Sequence, residues 1–176
     1  MQKEDLIQLL KDCRAIQFAR FVLTSGAVSD YYIDIKKAST DPKTLKVIAE
    51  SMSEYAQGYD LLAGMELGAV PLVVALSLET NLSYVIVRKE RRGHGTEKQI
   101  EGGDVKNKNV LVIEDVTTSG DSVVKTIQIL RESKAEVDKV LVVVDRESGA
   151  RDKLEKMNIN FVSLVSIQDI LKNRVN

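Results

Sequence analysis

The sequence contains little of what stabilises secreted proteins or anchors a chain in a membrane. Cys13 is the only cysteine, so no internal disulfide can form and a cysteine-based zinc cluster is excluded. No apolar run approaches the roughly 20 residues that a membrane-spanning helix needs. Residues 1–5, which include three charged side chains, do not resemble a secretion signal. We therefore expect a cytoplasmic protein that makes no contact with a membrane.

An excess of charge of one sign is also lacking. The chain has 25 Lys and Arg against 26 Asp and Glu, which gives a net charge of −1. No overall field therefore attracts nucleic acid or an anionic membrane, and any basic site must be local. Internal repeats, low-complexity tracts and Pro/Gly linkers are absent. With 176 residues, 44% of them hydrophobic, the sequence predicts a single domain, 1–176, with a substantial core.

Short apolar runs alternate with helical patterns along most of the chain. Helices are predicted at 5–14, 42–57, 70–78, 121–134, 149–157 and 166–172, the last of them capped by Ser166. Sheet strands are predicted at 61–64, 84–87, 110–113, 139–144 and 160–164. Two further strands, 18–23 and 31–35, predict an N-terminal hairpin. This order predicts an α/β fold with a doubly wound, mainly parallel, five-stranded sheet, in which ligands bind beyond the carboxyl ends of the strands.

The stretch 110–122 is the most informative part of the sequence. An apolar run, 110–113, predicts a strand buried on both faces, and a loop of hydroxyls and one glycine follows at 117–120. Asp121 or Ser122 is expected to cap the next helix. Loop N–H groups and the helix dipole favour an anion here. The hydroxyls that can donate to it belong to Thr117, Thr118 and Ser119, and Gly120 permits a sharp turn. The pattern predicts a phosphate site.

Two carboxylates, Glu114 and Asp115, lie where the strand is expected to end. Carboxylates in contact with a phosphate would repel it, so we expect this pair to face a neutral hydroxylated group such as a ribose, or a metal ion. Together with the loop they favour a sugar phosphate as the ligand. The simpler alternative is a strand–loop–helix unit with ordinary capping. The combination resembles the 5-phosphoribosyl-1-pyrophosphate (PRPP) signature of the type I phosphoribosyltransferases.

A second polar stretch, 88–103, contains five Lys or Arg, three acids, four glycines and the only histidine, His94. No apolar period runs through it, so we expect an exposed, mobile loop. Its cations suit closure over a leaving pyrophosphate. One alternative is a solvated surface loop. Another, a grip on nucleic acid, is disfavoured because aromatic residues and a wider basic face are missing. His94 alone cannot hold a metal, although it can donate to a phosphate.

Three motifs make the resemblance more specific. The segments 88–90, 94–96 and 100–102 resemble the mobile catalytic loop of orotate phosphoribosyltransferases, and 21–32 resembles the small N-terminal hood over their substrate (1–40 here). Asp145-Arg146-Glu147 resembles the motif whose arginine meets the orotate carboxylate, a group that an Arg fork fits. The alternative for Arg146 is an ion pair with Asp145, Glu147 or Asp152. Tyr31 and Tyr32 of the hood have the alternative of facing the core.

The resemblance implies transfer of 5-phosphoribose from PRPP to N1 of orotate, which gives orotidine 5′-monophosphate and pyrophosphate in pyrimidine biosynthesis. It implies Mg²⁺ held mainly by PRPP and water, with no protein side chain assigned as metal ligand, and a homodimer whose active sites are shared through the 88–103 loop. Two alternatives stay open. One is a non-catalytic PRPP or nucleotide sensor on the same fold, and the other is transfer to another base, which Arg146 disfavours.

The resemblance also implies roles for particular residues. It assigns catalysis to Arg92 and Asp115, and orotate binding to Thr118 and Arg146. The residues assigned to PRPP are Arg88, Lys89, Arg92, His94, Glu114, Asp115, Val116, Thr117, Thr118, Ser119, Gly120, Asp121 and Ser122. Lysine is common in the family at three positions where this chain differs, namely Thr24, Gly68 and Arg92.

Overall fold

A computed structural model describes residues 2–22, 28–90 and 98–173 of the chain. The helices are α1 (Lys3–Asp12), α2 (Ile35–Thr40), α3 (Pro42–Ser53), α4 (Val70–Thr80), α5 (Asp121–Glu132), α6 (Ala150–Glu155) and α7 (Ile167–Lys172). The strands are β1 (Ile16–Val22), β2 (Val28–Ile33), β3 (Leu61–Met65), β4 (Ser83–Val87), β5 (Ile100–Gly102), β6 (Val110–Thr117), β7 (Lys139–Asp145) and β8 (Asn160–Ser166). None of the helices described is long and apolar enough to span a bilayer.

The main sheet has the strand order β5-β4-β3-β6-β7-β8. The five predicted strands are all present and parallel to one another, which confirms the mainly parallel α/β fold. A short edge strand, β5, is added and runs antiparallel to β4. It lies inside the stretch 88–103, and three residues are too few to show a strand period in the sequence. The strand order reverses between β3 and β6, so ligands are expected where these two strands end.

The sheet is covered on both faces, as predicted for a doubly wound fold. Leu111 and Ile113 of β6 face a cluster with side chains of α1, α3 and α4. Their neighbours Val110 and Val112 face a second cluster with side chains of α5 and α6. Because successive side chains of a strand point to opposite faces, β6 contributes to both halves of the core. This burial fixes the position of the polar residues that follow.

The N-terminal strands pair as the predicted hairpin, from Ile16 opposite Ile33 to Val22 opposite Val28. The second strand ends earlier than predicted, and α2, which was not predicted, follows it. Asp34 begins this helix, because its carboxylate accepts a hydrogen bond from the backbone N–H of Lys36. The alternating Ile33 and Ile35 imitate a strand in the sequence, which explains the difference.

The helix caps agree only in part with the sequence. Ser166 caps α7 as predicted, in a reciprocal capping box with Asp169. The prediction that Asp121 or Ser122 caps α5 was wrong, because Gly120 occupies the N-cap position and no side chain caps the helix. The two candidate side chains bond elsewhere. Asp121 accepts from Ser119 and Lys153, and Ser122 donates to Glu114.

Candidate active site

Strand β6, with the loop and helix that follow it, brings most of the predicted residues to the carboxyl edge of the sheet. It continues to Thr117, four residues beyond the apolar run, because its backbone still pairs with β7 at Val116 and Thr117. Glu114 and Asp115 therefore lie within the strand and not after it, and the polar loop is shortened to residues 118–120. Main-chain pairing does not depend on apolar side chains, so the sequence pattern could not reveal this extension.

Glu114 is a buried acid with unusual chemistry. Its side chain is 6% exposed. Oε1 accepts from the Asp115 N–H at 3.2 Å and Oε2 accepts from the Ser122 hydroxyl at 3.1 Å. Burial, followed by the neighbouring Asp115 carboxylate, raises the pKa of Glu114 to about 8. At neutral pH the group is mainly protonated, so it can donate as well as accept a hydrogen bond.

Asp115 lies beside two segments that the sequence did not connect with it. Its Oδ1 accepts from the Val116 N–H at 2.9 Å, and its Oδ2 lies 3.6 Å from Nζ of Lys36. The carboxylate also packs against Gly68, in the loop after β3. A Cβ atom at position 68 would lie 2.2 Å from Oδ2, so any side chain there would displace the acid.

The loop after β6 exposes polar groups at the start of α5. The side chains of Thr118 and Ser119 are exposed, whereas Thr117 is 1% exposed and its hydroxyl has no hydrogen-bond partner in the part of the chain described. Gly120 turns the chain with φ of 79°, and α5 begins immediately after it. Hydrogen bonds from Lys153 and then Ser119 lower the pKa of Asp121. The exposed Thr118 hydroxyl and the helix N-terminus can bind an anion.

Arg146 lies directly beside this loop, after β7. Its backbone N–H donates to the Thr117 carbonyl at 2.9 Å. Its guanidinium carbon lies 5.5 Å from the centre of the Tyr31 ring of the hood, a cation–π contact. Nε is buried without a hydrogen-bond partner among the described residues. The alternative of an ion pair with Asp145, Glu147 or Asp152 is not observed, which leaves the fork available for a ligand.

Arg88 and Lys89 stand where β4 ends. Arg88 lies 3.7 Å from Glu101 of β5, measured between Nη1 and Oε1. The N–H of Lys89 donates to Oε1 of Glu66 at 2.9 Å, and its carbonyl accepts from Nζ of Lys125. The start of the predicted loop is thus attached to the loop after β3 and to α5. The predicted Arg92 and His94, and also Thr24, lie outside the described residues.

Several site neighbours were missed by sequence reasoning. Lys36, Glu66, Lys125 and Lys153 contact the predicted residues from other elements. Nothing in their local sequence marks them, since each contact arises only when distant segments meet. Among the described residues no cluster of three or more His, Cys, Asp or Glu forms a metal-binding group. The acidic pair Glu114 and Asp115 offers oxygen donors, which Mg²⁺ prefers.

The comparison with protein families identifies this arrangement. Residues 38–170 match the family described as "Phosphoribosyl transferase domain". The chain belongs to the phosphoribosyltransferase family. Within that family it is 49% identical to the orotate phosphoribosyltransferase of Pyrococcus horikoshii, over 97% of this chain and 94% of the relative.

Solved structures of phosphoribosyltransferases share the fold. The orotate phosphoribosyltransferase of Aeropyrum pernix is 34% identical, with a TM-score of 0.85 over 95% of this chain and 96% of that one. The enzyme of Mycobacterium tuberculosis H37Rv in complex with PRPP is 27% identical, with a TM-score of 0.79 over 96% of this chain and 98% of that one. The predicted resemblance and the type I phosphoribosyltransferase fold are therefore confirmed.

Proposed function

We propose that this phosphoribosyltransferase transfers 5-phosphoribose from PRPP to N1 of orotate, releasing pyrophosphate and forming orotidine 5′-monophosphate for pyrimidine biosynthesis. One observation carries the proposal. Arg146, whose Nε is buried without a hydrogen-bond partner among the described residues, is hydrogen-bonded through its backbone to Thr117, directly before the loop with the features of a phosphate site. A ligand with a carboxylate at one end and a phosphate at the other fits this pairing, and the product nucleotide is such a ligand.

The loop of 118–120 is proposed to bind the 5′-phosphate. The exposed Thr118 hydroxyl and the loop N–H groups, together with the dipole of α5, supply donors to the phosphate, and Lys153 lies nearby on Asp121. The acidic pair then faces the ribose. The Asp115 carboxylate accepts a hydrogen bond from a ribose hydroxyl, and Glu114, whose pKa is raised to about 8, has a proton to donate. Tyr31 holds the Arg146 fork from the hood side for the base carboxylate.

Catalysis is proposed to consist mainly of positioning and electrostatics. As the bond to pyrophosphate breaks, positive charge develops on the sugar and negative charge on the leaving group. Asp115 is proposed to lie on the sugar side, where its carboxylate stabilises the positive charge. The negative charge on the leaving pyrophosphate is assigned to four residues that closure of the 88–103 loop would bring to it, namely Arg88, Lys89, Arg92 and His94.

Mg²⁺, which prefers oxygen donors, is expected to be held mainly by PRPP and water, and no side chain of this protein is assigned as its ligand. When bound, the ion neutralises pyrophosphate charge and so favours departure of the leaving group. The chain's own contribution is to hold the hydroxyls of the ribose beside Asp115. The cytoplasmic location expected from the sequence stays a prediction.

The test follows the ultraviolet absorbance of orotate during incubation with PRPP, with and without Mg²⁺. We expect the absorbance to fall only when Mg²⁺ is present. Arg146→Ala should slow the rate of this fall by at least about 100-fold, because a charged hydrogen-bonded contact to orotate is lost. Arg151→Ala is the matched control, since it removes an arginine whose guanidinium is engaged by the Phe161 ring and the Phe161 carbonyl. Consumption of purines or uracil instead of orotate would indicate another base. PRPP binding without any turnover would indicate the sensor.

A further inference from the structure

Asp115 is held between two residues that no motif assigns to the site. Lys36, at the start of α2, lies 3.6 Å from Oδ2. Gly68, in the loop after β3, leaves the space that the carboxylate occupies. Three separate segments of the chain therefore meet at one acidic side chain at the switch point of the sheet.

We infer that Lys36 is a positioning residue, which sets Asp115 for the ribose of PRPP within the space left by Gly68. This inference rests on the proposed assignment of Asp115 to the ribose hydroxyls.

The geometry leaves Asp115 few other orientations. Its side chain is only 13% exposed, whereas that of Lys36 is 60% exposed. The carboxylate is thus largely shielded from water, whereas the lysine remains mostly in contact with solvent. Oδ1 is already engaged by the Val116 N–H. An ion pair with one partner shielded from solvent is screened less than a fully exposed pair.

The charges at the site explain why such a cation is needed. Asp115 adjoins Glu114, whose carboxyl is buried, and PRPP itself carries several negative charges. A carboxylate at position 115 without a nearby cation would repel the ligand. Lys36, 3.6 Å from Oδ2 of Asp115, offsets one of these negative charges. A lysine contributed by α2 can do this because Asp34 fixes the first turn of that helix at the edge of the sheet.

Gly68 is the steric part of the same arrangement. A Cβ atom there would lie 2.2 Å from Oδ2 and 2.8 Å from Oδ1 of Asp115, distances that real atoms do not adopt. Gly68→Ala must therefore displace the Asp115 carboxylate from its present position. Position 68 thus controls the orientation of Asp115, and Lys36 stabilises it.

The experiment measures the dissociation constant of PRPP with Mg²⁺ by calorimetry and the KM of each substrate. We expect Lys36→Met to weaken PRPP binding about fivefold, as for a partly screened ion pair, with the KM of orotate unchanged. Lys36→Arg should restore binding to within about twofold, because it keeps the charge. Lys37→Met, which removes a neighbouring exposed lysine of α2, is the matched control and should leave binding unchanged.

A double-mutant cycle separates this inference from the proposed function. In an Asp115→Asn background Lys36→Met should have no further effect, and an equal loss there would show that Lys36 contacts PRPP directly, which overturns the positioning role. If Asp115→Asn weakens binding but Lys36→Met does not, the inference is wrong and the site assignment stands. If Asp115→Asn itself leaves binding unchanged, the assignment of Asp115 to the ribose fails. Gly68→Ala binding as tightly as the unchanged protein would contradict the steric part.

Discussion

At the scale of single residues, Glu114 is the group whose ionisation depends most on the fold. Its pKa rises from 4.5 to about 8, because burial and the Asp115 carboxylate both disfavour the charged form. Between these pH values the folded chain holds a proton that the unfolded chain releases. The stabilisation due to the protonated carboxyl is therefore complete below pH 4.5 and is lost as the pH rises through 8.

Glu114→Gln should remove this dependence, since an amide does not titrate. Relative to the unchanged protein, we expect the free energy of unfolding of the variant to gain about 1–3 kcal/mol between about pH 5 and pH 9. Urea denaturation at several pH values measures it. Glu79→Gln, at an exposed position of α4, serves as the control. A difference between variant and parent that stays constant with pH would contradict the raised pKa.

The residue scale also marks the limit of what the sequence could reveal. Glu114, Asp115 and Arg146 were identified because each belongs to a local pattern, and the structure brings the three to one edge of the sheet. Lys36 was not identified, because its contact with Asp115 joins segments that lie far apart along the chain. Gly68 was noticed as a missing lysine, whereas its packing against Asp115 became apparent only in three dimensions.

At the scale of elements, the unit of β6, the polar loop and α5 depends on a left-handed turn. Gly120 adopts φ of 79°, and a Cβ atom there would lie 3.1 Å from Cβ of Ala150. Gly120→Ala should cost about 1 kcal/mol or more of stability and should also weaken PRPP binding, because the loop N–H groups turn away. Thermal melts and calorimetry measure the two effects.

Gly58 offers a matched comparison for that variant. It has φ of 85°, lies far along the chain from the phosphate loop, and a Cβ atom added there would meet no described atom within 4 Å. Gly58→Ala should therefore lose similar stability while binding PRPP normally. Equal binding losses in both variants would mean that general destabilisation, and not the loop geometry, weakens the ligand.

The elements themselves were predictable where side-chain patterns control them. The five parallel strands follow from apolar runs, and α7 follows from Ser166 and its capping box. Three other features could not be predicted in this way, namely the short strand β5, the helix α2 and the last residues of β6. Each of these depends on main-chain hydrogen bonds or on a single capping contact, which leave little mark on the sequence pattern.

At the scale of the whole molecule, we propose a homodimer whose loops of 88–103 complete each other's sites. Large apolar side chains are exposed on the hood, on the loop after β3 and on α4, at Val22 (76%), Leu67 (70%) and Leu78 (82%). Burial of such residues between subunits would be favourable. The proposal places Arg146 and Arg92 of one active site on different chains.

Mixing two inactive variants tests this arrangement. Arg92→Ala and Arg146→Ala subunits, unfolded together and refolded, should regain about a quarter of the original activity, because half of the dimers are mixed and each has one intact site. Each variant refolded alone is the control. If the mixture stays as inactive as its components, the sites are not shared.

The hydrogen bond between Arg146 and Thr117 has a consequence for how substrates could be exchanged during evolution. It joins the last residue of β6 to the residue that follows β7, and the separation of about 4.8 Å between these two parallel strands is a property of the backbone. The distance between the backbone of Arg146 and the phosphate loop is thus set by strand spacing and does not depend on the side chains present. Replacing Arg146 would change which base is accepted while the sugar phosphate keeps its place, so one scaffold can serve different nucleotides of the same length.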